Sequence, residues 1–68
     1  MTKEIKPYQK RVIDEARDLW VRAEMLDTFI KNNNEYMLLP EIERHLLFTQ
    51  LNAMRTYGNI LDARITQF

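Results

Sequence analysis

Apolar residues return at alternating steps of three and four along two separate stretches of the chain. The first runs Ile5, Tyr8, Val12, Ala16, Leu19, Ala23, Leu26 and Ile30, and the second Leu47, Leu51, Met54, Gly58, Leu61, Ile65 and Phe68. This spacing puts each set on one stripe of a helix, as expected of the a and d positions of two helices lying side by side. The pattern predicts an all-α fold, a long antiparallel two-helix hairpin with helices over about 5–31 and 40–67. Each would hold about 27 residues and run roughly 40 Å. Equal lengths and a short connection favour antiparallel neighbours. Aligned about the hinge, Leu26 falls opposite Leu47, Leu19 opposite Met54 and Val12 opposite Leu61.

Local signals agree with these limits. Residues 1–4 are expected to fray. Pro7 suits a first helical turn, where its missing N–H costs nothing. Lys10/Asp14, Arg11/Glu15 and Asp18/Arg22 are spaced for ion pairs one turn apart. Asn32, Asn33 and Asn34 stop the first helix, since asparagine tolerates a left-handed cap and bonds its own backbone. Residues 35–39 are too apolar for a solvated loop, so Tyr36 and Leu39 are expected to fold over the hairpin end. Pro40 opens the second helix, with Glu41 and Glu43 at the positive end of its dipole. Leu39 before it is a poor N-cap. Gly58 inside the second seam implies close approach by a large side chain, with Trp20 or Tyr8 as candidates.

A second apolar stripe flanks each seam. Ile13, Trp20, Met25 and Phe29 line the first helix, and Ile42, Leu46, Ala53, Tyr57 and Ile60 the second. One partner helix cannot cover stripes this wide, and burying a large side chain is worth about 1.5–3 kcal/mol. The expectation is a homo-oligomer, at least a dimer, built as a helical bundle. Trp20, Met25, Phe29, Leu46, Ala53, Tyr57 and Ile60 are its candidate interface.

Composition narrows the function. With 68 residues there is room for one domain, spanning 1–68. There is no cysteine, and the single histidine, His45, cannot hold zinc alone. No metal or cofactor is expected. Ten basic and ten acidic residues balance, which lowers the case for a nucleic-acid partner. No apolar run reaches the roughly 20 residues that span a bilayer, and the N-terminus lacks a signal-peptide core, so the expected location is the cytoplasm. Glycine-rich phosphate loops, metalloprotease motifs and nucleophile–base pairs are missing from the sequence, and a non-enzymatic protein is expected. Asp14/Glu15 and Glu41/Glu43 read as ordinary helix-surface or dipole-end carboxylates.

One group invites ligand binding. Tyr8, Lys10 and Arg11 begin the first helix, and the hairpin brings them near Arg64 and Phe68 at its open end. An aromatic ring beside several cations can stack a base and hold a phosphate. The competing reading is that Tyr8 and Phe68 close the core while Arg11 pairs with Glu15. Tyr57 with Arg55 forms a second, weaker group.

The letters themselves resemble a family of short phage-encoded proteins, the crAss-phage-related small proteins. Tyr8-Gln-Lys-Arg11-Val12-Ile-Asp-Glu15 is similar to its Y-x-x-R-V-x-x-E opening, and Leu26-Asp-Thr-Phe29-Ile30 to its L-x-x-F-I. The stretch from Leu46-Leu47 through Gln50-Leu51, Ala53-Met54, Tyr57, Ile60-Leu61 and Arg64-Ile65 resembles its L-L-x-x-Q-L-x-A-M-x-x-Y-x-x-I-L-x-x-R-I. That resemblance brings a phage setting but no activity. A looser similarity of size and fold links the chain to phage sponges that sequester the cyclic nucleotide signals of the CBASS and Thoeris defences between protomers. By that analogy Tyr8, Lys10, Arg11 and Arg64 would bind a nucleotide messenger. The alternative is a helical adaptor that binds a host protein through the surface around Trp20, Met25 and Phe29.

Overall fold

The computed structural model describes residues 4–68; of residues 1–4, expected to fray, 1–3 lie outside the described part and Glu4 is exposed and outside any helix. Helix α1 spans Pro7–Asn32, a short α2 spans Asn34–Leu38, and α3 spans Glu41–Thr66. The two long helices have 26 residues each and pack against one another. The described chain is all-helical and measures 54 × 16 × 15 Å.

The seams face each other as the periodicity requires. Val12, Ala16, Ala23, Leu51 and Leu61 form the buried apolar core. Leu19, Ile65 and Phe68 close over Val12, Ala16 and Leu61. Ile5 departs from the pattern: it precedes α1 and is 58% exposed, because the helix starts only at Pro7. Gln9 takes an inward place next to the seam. Its side-chain oxygen accepts the Lys6 backbone N–H at 2.9 Å, satisfying a donor just ahead of the first turn.

Gly58 is a point of close approach. A Cβ there would stand 2.6 Å from two ring carbons of Trp20. The indole N–H donates to both carboxylate oxygens of Asp62, at 3.1 and 3.3 Å, fixing the ring over the glycine. The hinge alignment places Trp20 nearer Ala53, yet the ring lies on Gly58. Helical side chains lean toward the N-terminus of their own helix, and in α1 that direction is the open end.

The hinge differs from expectation in two ways. No residue in the described chain adopts a positive φ, so asparagine is not used as a left-handed cap. Asn33 is extended instead, at φ −110° and ψ 119°. Its side-chain oxygen accepts the Glu35 N–H at 2.7 Å, which starts the extra helix α2. Tyr36 on α2 meets Phe29 edge-on at 6.0 Å, and its hydroxyl donates to the Arg44 carbonyl at 3.2 Å. Tyr36 and a half-buried Leu39 thus cover the closed end, whereas Met37 and Leu38 of the same segment point to solvent, 63% and 83% exposed. Pro40 serves as the N-cap of α3 rather than its first residue, and its carbonyl accepts the Arg44 N–H.

Candidate functional site

The open end of the hairpin is held by aromatic rings. Tyr8 and Phe68 pack edge-to-face with centroids 6.1 Å apart. Tyr8 is nevertheless 49% exposed, so its ring both closes the core and keeps a surface for another molecule. Arg11 lies one turn beyond Tyr8 on α1, and Arg64 one turn before Phe68 on α3. Neither makes an ion pair among the described residues. The Arg11–Glu15 and Asp18–Arg22 pairs expected from spacing are not closed there either.

Lys10 does not join this group. It lies two residues from Tyr8, about 200° around the helix, and pairs with Asp14 at 3.0 Å. Of the expected ligand residues, Tyr8 packs on Phe68 and Lys10 pairs with Asp14, while Arg11 borders a different set of side chains from either.

Arg11 also borders a groove of about 420 Å³ between the helices, with Asp14, Glu15, Asp18, Leu19, Arg22 and Tyr57. Its three carboxylates outnumber its two guanidiniums, so the groove as a whole does not favour an anion. Arg22 was not singled out in the sequence; its place three turns beyond Arg11 on one face was the available signal.

The expected interface residues divide by position. Trp20 is turned inward onto Gly58 and Asp62. Met25 and Phe29 line an apolar depression of about 540 Å³ with Val21 and Thr28, on the outer face of α1 by the hinge. Leu46, Ala53 and Ile60 are exposed on α3, and Tyr57, also exposed, borders the groove beside Arg11.

One electrostatic cluster ties the helices together. Asp27 receives Lys31 at 3.1 Å along α1 and Arg55 at 3.2 Å across the hairpin. The hydrogen bond from Lys31, with the charges of both cations, holds the Asp27 carboxyl below its ordinary range against a smaller opposing effect of burial. The i,i+4 spacing to Lys31 was legible; the Arg55 contact needed the register. Among the described residues no acidic or histidine cluster could hold a metal, and no helix is long and apolar enough to cross a membrane.

A profile of the Sequestin family matches residues 6–67, nearly the whole hairpin. The chain belongs to the Sequestin family. It is also 31% identical over 61 residues to an uncharacterised 7.5 kDa protein from the denB-rIIB intergenic region of Enterobacteria phage T4, covering 90% of this chain and 94% of that protein. No solved structure matches. The Sequestin match and the T4 relative set the chain among short phage proteins, and the matched span runs from the capping turn at Lys6 to the last turn of α3.

Proposed function

We propose that this Sequestin is a phage accessory protein that counters host antiviral defence by sequestering a nucleotide second messenger between copies of itself, in the cytoplasm of the infected cell. The family name speaks of sequestering, which favours binding over catalysis. The observation that carries the reading is the half-exposed ring of Tyr8 at the open end, together with Arg11 and Arg64, neither of which is in an ion pair among the described residues. The base stacks on Tyr8 and the phosphates meet the two arginines. Lys10, tied to Asp14, adds charge at a distance. A lone hairpin offers only one wall, so the second copy supplies the other.

Thermal denaturation with cyclic di- and trinucleotides and cyclic ADP-ribose products tests this. A ligand at 100 times its Kd adds about 2.7 kcal/mol. Tyr8→Ala and Arg11→Ala should each remove that gain. A melting curve unmoved by every compound would rule the reading out.

The depression lined by Val21, Met25 and Phe29 favours a second reading, an adaptor that grips a host protein by an apolar anchor. Met25→Lys should abolish capture of such a protein and leave nucleotide-induced stabilisation intact.

A further inference from the structure

Two polar links join α1 to α3, and both lie on one flank of the hairpin. The Trp20 indole N–H donates to Asp62 at 3.1 Å, and Arg55 reaches Asp27 at 3.2 Å. Trp20 and Asp27 stand two turns apart on α1, and Arg55 and Asp62 two turns apart on α3. A seven-residue step returns to within about 20° of the same direction, so the links form one line along the molecule. Among the described residues no other hydrogen bond or ion pair crosses between these two helices.

The opposite flank has no such link. There Tyr57 and Leu19 line a groove, with Arg11, Glu15, Asp18 and Arg22 along its α1 edge. Packing differs in the same sense. This groove holds about 420 Å³, against about 200 Å³ for the cleft beside Trp20 and Arg55. Ala23, which lines that cleft, is 3% exposed, whereas Leu19 on the groove is only half-buried. Trp20 fills its own flank because Gly58 opposite has no side chain. The two ends of the hairpin are also held. Tyr8 meets Phe68 at one, and Tyr36 ties the hinge to the Arg44 carbonyl at the other. With the ends held and one flank linked, the freedom left to the long helices is rotation about the linked flank.

We infer that the hairpin opens and closes on its Tyr57 flank, with the Trp20–Asp62 and Asp27–Arg55 links as the spine. Opening widens the groove and uncovers Leu19, while the closely packed ring of Trp20 stays on Gly58. The charges of the groove do not resist this movement, since none of Arg11, Glu15, Asp18 and Arg22 is bonded to α3. The fold thereby holds a groove of variable width, set by whole helices rather than by a loop. This device is independent of any ligand and of any assembly.

The chain has no cysteine, so pairs of spin labels can be placed at will in the full chain. Dilution with unlabelled protein leaves only distances within one molecule. One pair, Arg22→Cys with Tyr57→Cys, spans the groove. The other, Glu24→Cys with Asn59→Cys, spans the linked flank, where Glu24 borders the cleft and Asn59 lies one turn from both Arg55 and Asp62. All four positions are exposed. Double electron–electron resonance should give a single narrow distance across the linked flank and a broader distribution, extended to longer distances, across the groove. Equal widths, or a broader distribution on the linked flank, overturn the proposal. Asp62→Ala together with Arg55→Ala should broaden the Glu24/Asn59 distances toward those of the groove pair, with helix content in circular dichroism retained. Distances unmoved by that double change in a folded chain also overturn it. Where the double change unfolds the chain, the comparison of the two label pairs without it decides.

Discussion

The two long helices are equal in length and matched along their inner faces, yet their outer faces differ. The outer surface of α1 is charged toward the open end, with Lys10 and Asp14 paired on it, and becomes apolar only around Val21, Met25 and Phe29. Between Leu46 and Ile60, α3 carries no charged residue other than Arg55, which reaches Asp27 of α1, and Asp62 beyond it holds Trp20. Matched inner faces make the hairpin. The mismatch outside indicates that the hairpin has a preferred side for further contact. Its core also points that way, since among the described residues only Leu51 and Leu61 of the large side chains are fully buried. The radius of gyration, 15.7 Å, exceeds the about 11 Å of a compact domain of this length.

Substitutions on the shared inner face should show the largest effects. Leu51→Ala removes a fully buried side chain and should cost about 2–5 kcal/mol, enough to abolish the cooperative thermal transition seen by circular dichroism. Gly58→Ala comes next. Helix propensity alone favours alanine by about 1 kcal/mol, but the new methyl must displace the Trp20 ring, an overpacking cost of about 1–3 kcal/mol. The net should be a loss in urea denaturation. In a Trp20→Ala background the same change should become stabilising, and equal effects in both backgrounds would refute the close approach.

The outer faces separate at smaller energies. If copies assemble as proposed, Ile60→Glu on α3 should dissociate them in sedimentation, whereas Val21→Glu on α1 should leave them associated. Surface changes away from caps and buried groups shift the hairpin's own stability by only about ±0.5 kcal/mol.

The Asp27 link gives the mildest signal, in its pH dependence. Its folded-state pKa lies below the unfolded value of about 3.9, so its contribution is complete above that pH. It is lost as pH falls through the folded value. Asp27→Asn should therefore be less stable than the parent at neutral pH, and the difference should vanish in strong acid. A pH-independent difference between the two would contradict the assignment.

The sequence exposed what depends on period and hid what depends on register. Val12, Ala16, Leu51 and Leu61 could be placed inward because a helix repeats on a fixed angle. Trp20 could be named as a neighbour of Gly58, but its turn toward Asp62 requires knowing how far the side chain leans along the axis. Arg55 on Asp27 is another contact between helices that spacing within one helix cannot announce. The hinge was legible as a break and as an apolar plug. Its extra turn was not, because Asn33 caps forward into α2 rather than backward onto α1. At the open end, the Tyr8–Phe68 contact followed from the antiparallel arrangement. The separation of Lys10 from Arg11 follows from 100° per residue, a point that grouping by proximity in sequence overlooks.

The hinge has a topological consequence. Asn33 is the sole residue between α1 and α2, and Leu39 and Pro40 are all that separate α2 from α3. Every described residue avoids positive φ, so the bend contains no backbone state that would forbid straightening. Replacing Asn33 and Pro40 with alanine would join the three helices into one rod of about 60 residues and roughly 90 Å. Such a rod can bury its two seams only against a second rod, each donating half of every hairpin. Folded hairpin and exchanged dimer would share one set of core contacts, separated by the geometry of two residues.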